Sequence, residues 1–208
     1  MTAFRTDQEE FWAGPFGIEY IERNRGRELL ASNLAFFSKA LANARGISSC
    51  IEFGANIGMN LRALQLLYPR QEQHAIEINP TAAKELRSVI PPTNVYASSI
   101  LDFSPTRTWD LALIKGVLIH INPDCLPQVY ETLHRSVDRY LLVCEYYNPS
   151  PVEVQYRGQA DRLFKRDFCG EILERHSDMK LVDYGFAYRR DPKFPQDDIT
   201  WFLMEKRG

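Results

Sequence analysis

SSCIEFGANIGMNLRALQLL, Ser48 to Leu67, is the stretch on which the reading of this chain turns. A short apolar run carries the acid Glu52, Gly54 and Gly58 follow four apart, and apolar residues then recur at helical spacing. This is the pattern of a strand feeding a helix through a tight glycine turn, the usual cradle for a nucleotide-like ligand. Glycine lets the backbone turn sharply and approach a ligand with no Cβ in the way. The middle glycine of the dinucleotide fingerprint is missing. Asn56 stands there, and asparagine, with aspartate, best tolerates the left-handed conformation among non-glycine residues. No G-K-[ST] follows, which excludes a phosphate-gripping P-loop. A merely structural turn is the other reading of this segment alone.

Outward from that turn the chain alternates. Strand-like runs occur at SCIEF, HAIEI, NVYASSI, DLALIK and YLLVCEYY. Asn79-Pro80 and Asn122-Pro123 each offer an Asn N-cap with Pro at the first helical position. After the second, Leu126, Val129, Tyr130, Leu133 and Val137 make an amphipathic stripe. Strand–helix alternation predicts right-handed crossovers and a parallel sheet with helices on both faces. KLVDYGFAYRR and DITWFLMEK then follow with only the turn-rich DPKFPQD between them, so they pair antiparallel. The expected fold class is α/β: a doubly wound, mostly parallel seven-stranded sheet ending in a C-terminal antiparallel hairpin. Residues 1–45 read as an irregular segment followed by a helix, with Leu30, Leu34, Phe37 and Leu41 on one face, forming a lid or extension. Residues 46–208 form the ligand-binding domain, the whole being one folding unit.

Two acids refine the ligand. Glu77, at the end of HAIEI and about 20 residues past Gly58, can accept hydrogen bonds from both hydroxyls of a ribose. It can equally be a surface carboxylate opening a helix. Glu52, just before the turn, would repel a pyrophosphate and suits a ligand with a positive end, such as an amino acid's ammonium group. S-adenosylmethionine has that ammonium and a ribose, and no phosphate.

The bulk numbers are those of one soluble domain. The 208 residues are 45% hydrophobic and 25% charged, with a formal net charge of −2, so nothing favours general nucleic-acid binding. Cys50, Cys125, Cys144 and Cys169 are scattered without a C-x-x-C pair and read as reduced core residues. The first residues lack the apolar core of a signal peptide, and LALIKGVLIHI is too short to span a membrane. The expected location is cytoplasmic, with no membrane or nucleic-acid partner. No His, Cys, Asp or Glu spacing indicates a zinc site, and no metal is expected.

These residues resemble a class I S-adenosylmethionine-dependent methyltransferase, a Rossmann-like fold. IEFGANIG resembles that family's first motif and AIEIN its second. SSILDF resembles the segment beside the adenine, with Ser99 where an acid often stands. WDLALIKGVLIHI resembles the fourth strand and the loop after it. The resemblance implies a cofactor site of Glu52, Gly54, Ala55, Asn56, Gly58, Asn60, Glu77, Ile78, Ser99, Ile100, Lys115 and Gly116. Longer blocks, FGIEYIERN, KGVLIHINPD, EYYNPSPVEVQYRG, RLFKRDFCGE and FPQDDITWFLMEK, resemble the methyltransferases associated with pseudaminic acid biosynthesis. That likeness implies methyl transfer in surface-sugar metabolism, with O-methylation favoured.

Methyl transfer from a sulfonium is an in-line displacement that depends on alignment. A hydroxyl acceptor also gains from a general base. His120, just past the fourth strand, is the first candidate base; the alternative is a packing histidine between Ile119 and Ile121. Glu145, at the end of the fifth strand, is the second. The segment after it holds Tyr146, Tyr147, Asn148, Arg157 and Arg162, with Tyr156 among them. Its tyrosines can stack on a sugar face and its arginines can grip a carboxylate or phosphate of an anionic acceptor. A solvated helix face is the plainer reading. Tyr20, Arg23 and Asn24, in the N-terminal segment, are the polar residues expected to reach inward, while Trp12 and Phe16 cover the sheet. An NAD-dependent oxidoreductase and a non-catalytic cofactor-binding partner are the rival readings.

Overall fold

A computed structural model describes residues 4–208. In chain order the helices are α1 (Asp7–Ala13), α2 (Pro15–Arg23), α3 (Arg27–Ala40), α4 (Met59–Leu67), α5 (Pro80–Leu86), α6 (Leu126–Ser136) and α7 (Phe168–Arg175). The strands are β1 (Ser49–Phe53), β2 (Glu72–Ile76), β3 (Val95–Tyr96), β4 (Trp109–Lys115), β5 (Val137–Glu145), β6 (Val152–Tyr156), β7 (Gln159–Lys165), β8 (Met179–Ala187) and β9 (Ile199–Lys206).

Seven strands form one sheet in the order β3-β2-β1-β4-β5-β9-β8. β3, β2, β1, β4 and β5 run parallel, and β9 lies antiparallel to both β5 and β8. This is the doubly wound sheet closed by a hairpin that the sequence predicts, with the last strand inserted inside the previous one. The strand order reverses between β1 and β4, which is where an open α/β sheet binds its ligand.

Both faces of the sheet are covered, and the central strands therefore read as unbroken apolar runs. In β4, Leu111 and Leu113 face one core with Phe36, Phe37, Leu61, Leu64 and Trp201, under α3 and α4. Ala112 and Ile114 face the other, with Ile51, Phe53, Val129, Leu133, Ile172 and Met204, under α6 and α7. Each fully buried Leu, Ile or Phe contributes roughly 1.5–3 kcal/mol. The α3 stripe is thus part of the main core.

Three sequence expectations change. The region before α3 is not irregular: T-D-Q-E, Thr6 to Glu9, is a capping box that starts α1, and Pro15 opens α2. NVYASSI supplies only the two-residue β3, because the backbone turns at Ser98, whose N–H donates to the Tyr96 carbonyl. The long connection after β5 is neither loop nor helix face: β6 and β7 pair there as a separate antiparallel hairpin. Asn79 caps α5 as expected, accepting from the N–H groups of Thr81 and Ala82, while Asn122 caps a single 3₁₀ turn that precedes α6. All four cysteines are free.

Candidate functional site

Gly54, with φ of +75°, ends β1 in a turn only glycine enters without strain; an added Cβ would meet Val117 Cγ2 at 2.6 Å. Gly58, also left-handed, opens α4 against Leu86 and Val89. Asn56 between them takes φ of +49°, so asparagine does occupy the left-handed position that the missing glycine would hold. The N–H groups of Gly54 and Ala55 both donate to the Ile76 carbonyl, which locks this turn to the end of β2.

Glu77 is held rigidly. Asn56 N–H donates to its Oε2 and Asn79 N–H to its Oε1, both at 2.7 Å. Each carboxylate oxygen keeps a further lone pair, and the residue lines a cleft at the carboxyl ends of β1, β2 and β4. Burial raises its carboxyl above the usual range, the backbone donors of Asn79, Asn56 and Ile78 opposing that shift. Glu52 is more deeply set. Asn60 Nδ2 donates to its Oε1 at 2.6 Å, while its Oε2 is buried with no partner. Burial pushes Glu52 up to about 8, against the Asn60 hydrogen bond and the Lys115 charge.

The cleft encloses ≈ 1230 Å³, its solvent-open part included. Gly54, Ala55, Asn56, Asn60, Glu77, Ile78, Ser99, Ile100, Lys115 and Gly116 line it, so the turn, the β2 tip, the β3 loop and the β4 tip converge. Glu52 and Gly58 lie just behind that lining, Glu52 reaching it through Asn60.

The roof comes from α1 and α2. Gln8, Glu9, Trp12, Tyr20 and Asn24 all face the cleft. Asn79 Nδ2 donates to the Trp12 carbonyl at 3.0 Å, Gln8 Nε2 to the Asp161 carbonyl at 2.9 Å, and Arg5 Nη1 to the Leu101 carbonyl at 2.9 Å. Ser99 Oγ donates to the Glu9 carboxylate, so an acid from α1 reaches the tip of the β3 loop. Sequence reasoning missed Gln8 and Glu9 and assigned Trp12 only a covering role. The capping-box pattern was the available signal for α1, but nothing local says where that helix docks.

His120 sits under this roof, in a 3₁₀ turn after β4. Its Nδ1–H donates to the Arg162 carbonyl at 2.5 Å, which fixes the tautomer and leaves Nε2 as an acceptor. Trp12 and Tyr156 flank the ring, at centroid distances of 4.6 and 5.0 Å. Burial drops its pKa to about 4, opposed by the Arg162 bond, so it is neutral at pH 7.

Glu145 does not line the cleft. Its Oε1 accepts from the N–H groups of Val117 and Leu118, each at 2.9 Å, and it is buried. Burial pushes it up to about 7 against those donors. The geometry makes Glu145 an anchor for the turn that carries His120 rather than a group exposed to an acceptor. The segment after β5 is also redistributed. Tyr146 wedges between the two cores, and Tyr147 turns outward onto Phe202. Asn148 Nδ2 donates to the Ser150 carbonyl, and Arg157 is exposed at the hairpin tip beside Tyr156. None of these four lines the cleft. Arg162 stays close, its guanidinium over Phe11 and its Nε buried without a partner. Arg23 is exposed, over the rings of Phe16 and Tyr20.

No protein-family model and no curated protein sequence matches the chain. Solved structures do. The Burkholderia thailandensis 1,6-didemethyltoxoflavin-N1-methyltransferase, with S-adenosylhomocysteine bound, aligns with a TM-score of 0.71 at 15% identity over 100% of this chain and 94% of that one. The plantazolicin methyltransferase BpumL, also with S-adenosylhomocysteine, gives 0.67 at 13% identity over 97% and 95%. The Synechocystis PCC 6803 magnesium protoporphyrin IX methyltransferase, with S-adenosylmethionine bound, gives 0.66 at 12% over 99% and 100%. The chain has the fold of the class I S-adenosylmethionine-dependent methyltransferases.

Proposed function

We propose that this chain transfers a methyl group from S-adenosylmethionine to a hydroxyl of a small, sugar-type acceptor of the nonulosonic acid kind. The observation that carries the reading is the pairing of a rigidly held Glu77 with the partnerless buried oxygen of Glu52, on either side of one glycine turn. The first suits a ribose diol and the second suits an ammonium group. S-adenosylmethionine offers both and supplies an electrophilic methyl on its sulfonium. A pyrophosphate offers Glu52 no positive group and opposes its ionisation, which weighs against an NAD-dependent oxidoreductase.

In this reading Gly54, Ala55, Asn56 and Gly116 bring bare backbone to the ligand. Asn60 relays Glu52, and Ile78, Ser99 and Ile100 flank the base. The Lys115 charge tempers both Glu52 and Glu145. His120 Nε2, in the acceptor tautomer, receives the proton of the acceptor hydroxyl. Glu145 holds the turn that aims it. Trp12, Tyr20 and Tyr156 offer ring faces to a sugar, and Arg162 offers charge to an acidic one. The sugar class itself rests on the long sequence blocks shared with the pseudaminic acid-associated methyltransferases.

The test is calorimetry with S-adenosylmethionine, S-adenosylhomocysteine and NAD on wild type and Glu77→Ala, followed by assay of S-adenosylhomocysteine release with acidic sugars and their nucleotide-activated forms. Binding of the two sulfur nucleotides alone, lost in Glu77→Ala, with release dependent on one acceptor, is the expected result. Binding of NAD alone would overturn the reading. Binding without release for any acceptor would favour a non-catalytic partner.

A further inference from the structure

Away from the cleft, three side chains with metal-ligating atoms meet. His134 lies in the last turn of α6, His176 ends α7, and Asp178 stands just before β8. One ligand atom from each lies within 4.8 Å of the other two. β5 begins directly after α6, so this group sits at the starting ends of the parallel strands, and the cleft is at their far ends.

His134 lies some forty residues before His176 and Asp178, which is why no spacing rule finds the group. His134 Nε2 bonds the Asp178 carboxylate, at 2.8 Å to Oδ2 and 3.0 Å to Oδ1. The His134 and His176 rings stack in parallel, with centroids 4.0 Å apart and planes 4° from each other. His176 Nε2 is buried and has no hydrogen-bond partner. A stacked imidazole with a dry, unsatisfied nitrogen gains little as a packing group, and its neighbours are an imidazole and a carboxylate. Lys206 is close by, but its Nζ is committed to the carbonyls of His134 and Val137.

We propose that His134, His176 and Asp178 bind one divalent ion of the zinc class, through two imidazole nitrogens and one carboxylate oxygen, with water in the fourth position. Imidazole and carboxylate ligands suit zinc, cobalt or nickel, and are poorly suited to calcium or magnesium. Two parallel rings cannot both direct in-plane lone pairs at one ion. His176, whose Nε2 is unrestrained, therefore turns about its Cβ–Cγ bond on binding. The ion replaces the proton on His134 Nε2, which moves to Nδ1 or to solvent. The ligands come from α6, the end of α7 and the turn before β8, so the ion staples two helix ends to the edge strand. It is a structural site, separate from the cleft.

The experiment uses untagged full chain freed of metal with a chelator, titrated with zinc chloride by calorimetry and melted with and without zinc. The expected result is one ion per chain and a higher Tm with zinc. His176→Gln should weaken binding by about 10–100-fold or more and abolish the Tm gain. That variant deletes a nitrogen that makes no hydrogen bond, so the fold is retained, as circular dichroism checks. Asp178→Asn should lose the ion in the same way, and S-adenosylhomocysteine affinity should not change in either variant. A wild type that neither binds zinc nor melts higher with it, or zinc binding that persists in both variants, overturns the proposal.

Discussion

Around the tips of β1 and β2 the cleft is held by main-chain donors. Gly54 and Ala55 donate to Ile76, and Asn56 and Asn79 donate to Glu77, all within a stretch of some two dozen residues. Across the cleft the roof is side chain held by side chain. Trp12 packs on Phe16, Tyr20, His120 and Tyr156, drawn from α1, α2, the β4 loop and the β6–β7 hairpin. The floor is specified by backbone geometry and tolerates few substitutions. The roof is specified by rings that can repack, so it is where an acceptor preference can change without loss of the fold.

The largest effect is expected where the roof meets the chemistry. His120→Asn keeps a donor near the Arg162 carbonyl but removes the accepting nitrogen. kcat should fall about 10²–10⁴-fold while S-adenosylhomocysteine affinity holds. An unchanged kcat would reduce His120 to the packing residue between Ile119 and Ile121 that its surroundings also allow.

On the floor, Gly54→Ala places a Cβ against Val117 and forces a left-handed alanine. Strain of about 1–2 kcal/mol adds to overpacking of roughly 1–3 kcal/mol, and chemical denaturation should read the sum. Trp12→Phe, by contrast, should cost little stability and shift acceptor KM. If the two variants lost equal stability, the contrast between floor and roof would be wrong.

That contrast also explains what the sequence could be made to tell. The glycine turn, Glu77 and the alternating strands depend on neighbours a few residues away, and all stand where their spacing places them. The terminal hairpin was legible because DPKFPQD cannot form a crossover helix. α1 escaped because seven residues hold too few turns for a periodicity, although Thr6 and Glu9 carried its capping box. The segment 146–166 misled for a different reason. Its aromatic and basic residues are the right types for an acceptor site, but Tyr147 and Arg157 are exposed, and Tyr156 and Arg162 pack behind the cleft lining, against His120 and Phe11. Residue type was readable there; orientation was not, because it is set by a partner strand.

Protonation sharpens the floor's half of the comparison. Burial raises Glu52 from 4.5 to about 8 and Glu145 from 4.5 to about 7. Between those limits the native chain binds protons that the unfolded chain has released, so stability falls as pH rises from about 4.5 to about 8 and levels off above. Glu52→Gln and Glu145→Gln should each flatten part of that slope. A cationic ligand beside Glu52 favours the anion, so cofactor binding should tighten as pH rises toward about 8. It should also release a proton, visible as a dependence of the calorimetric heat on buffer ionisation enthalpy. Wild type that binds without release near neutral pH would place the ammonium away from Glu52. Each pKa unit recovered is worth about tenfold in affinity.

The smallest effects separate the two arginines of the hairpin. Arg157 is exposed, and its cation lies 5.8 Å from the Tyr156 ring centroid, so Arg157→Ala should change stability by no more than about 0.5 kcal/mol. Its effect on acceptor KM should be equally slight. Arg162 keeps a buried, partnerless Nε and stacks over Phe11 beside the His120 anchor. Arg162→Ala should raise the KM of an acidic acceptor several-fold and leave that of a neutral analogue nearly unchanged. The difference between acidic and neutral acceptors is the decisive reading, because loss of packing alone would raise both. If both rise together, Arg162 only props the roof, and the charge that would select an anionic acceptor must come from the cleft lining itself, where Lys115 stands.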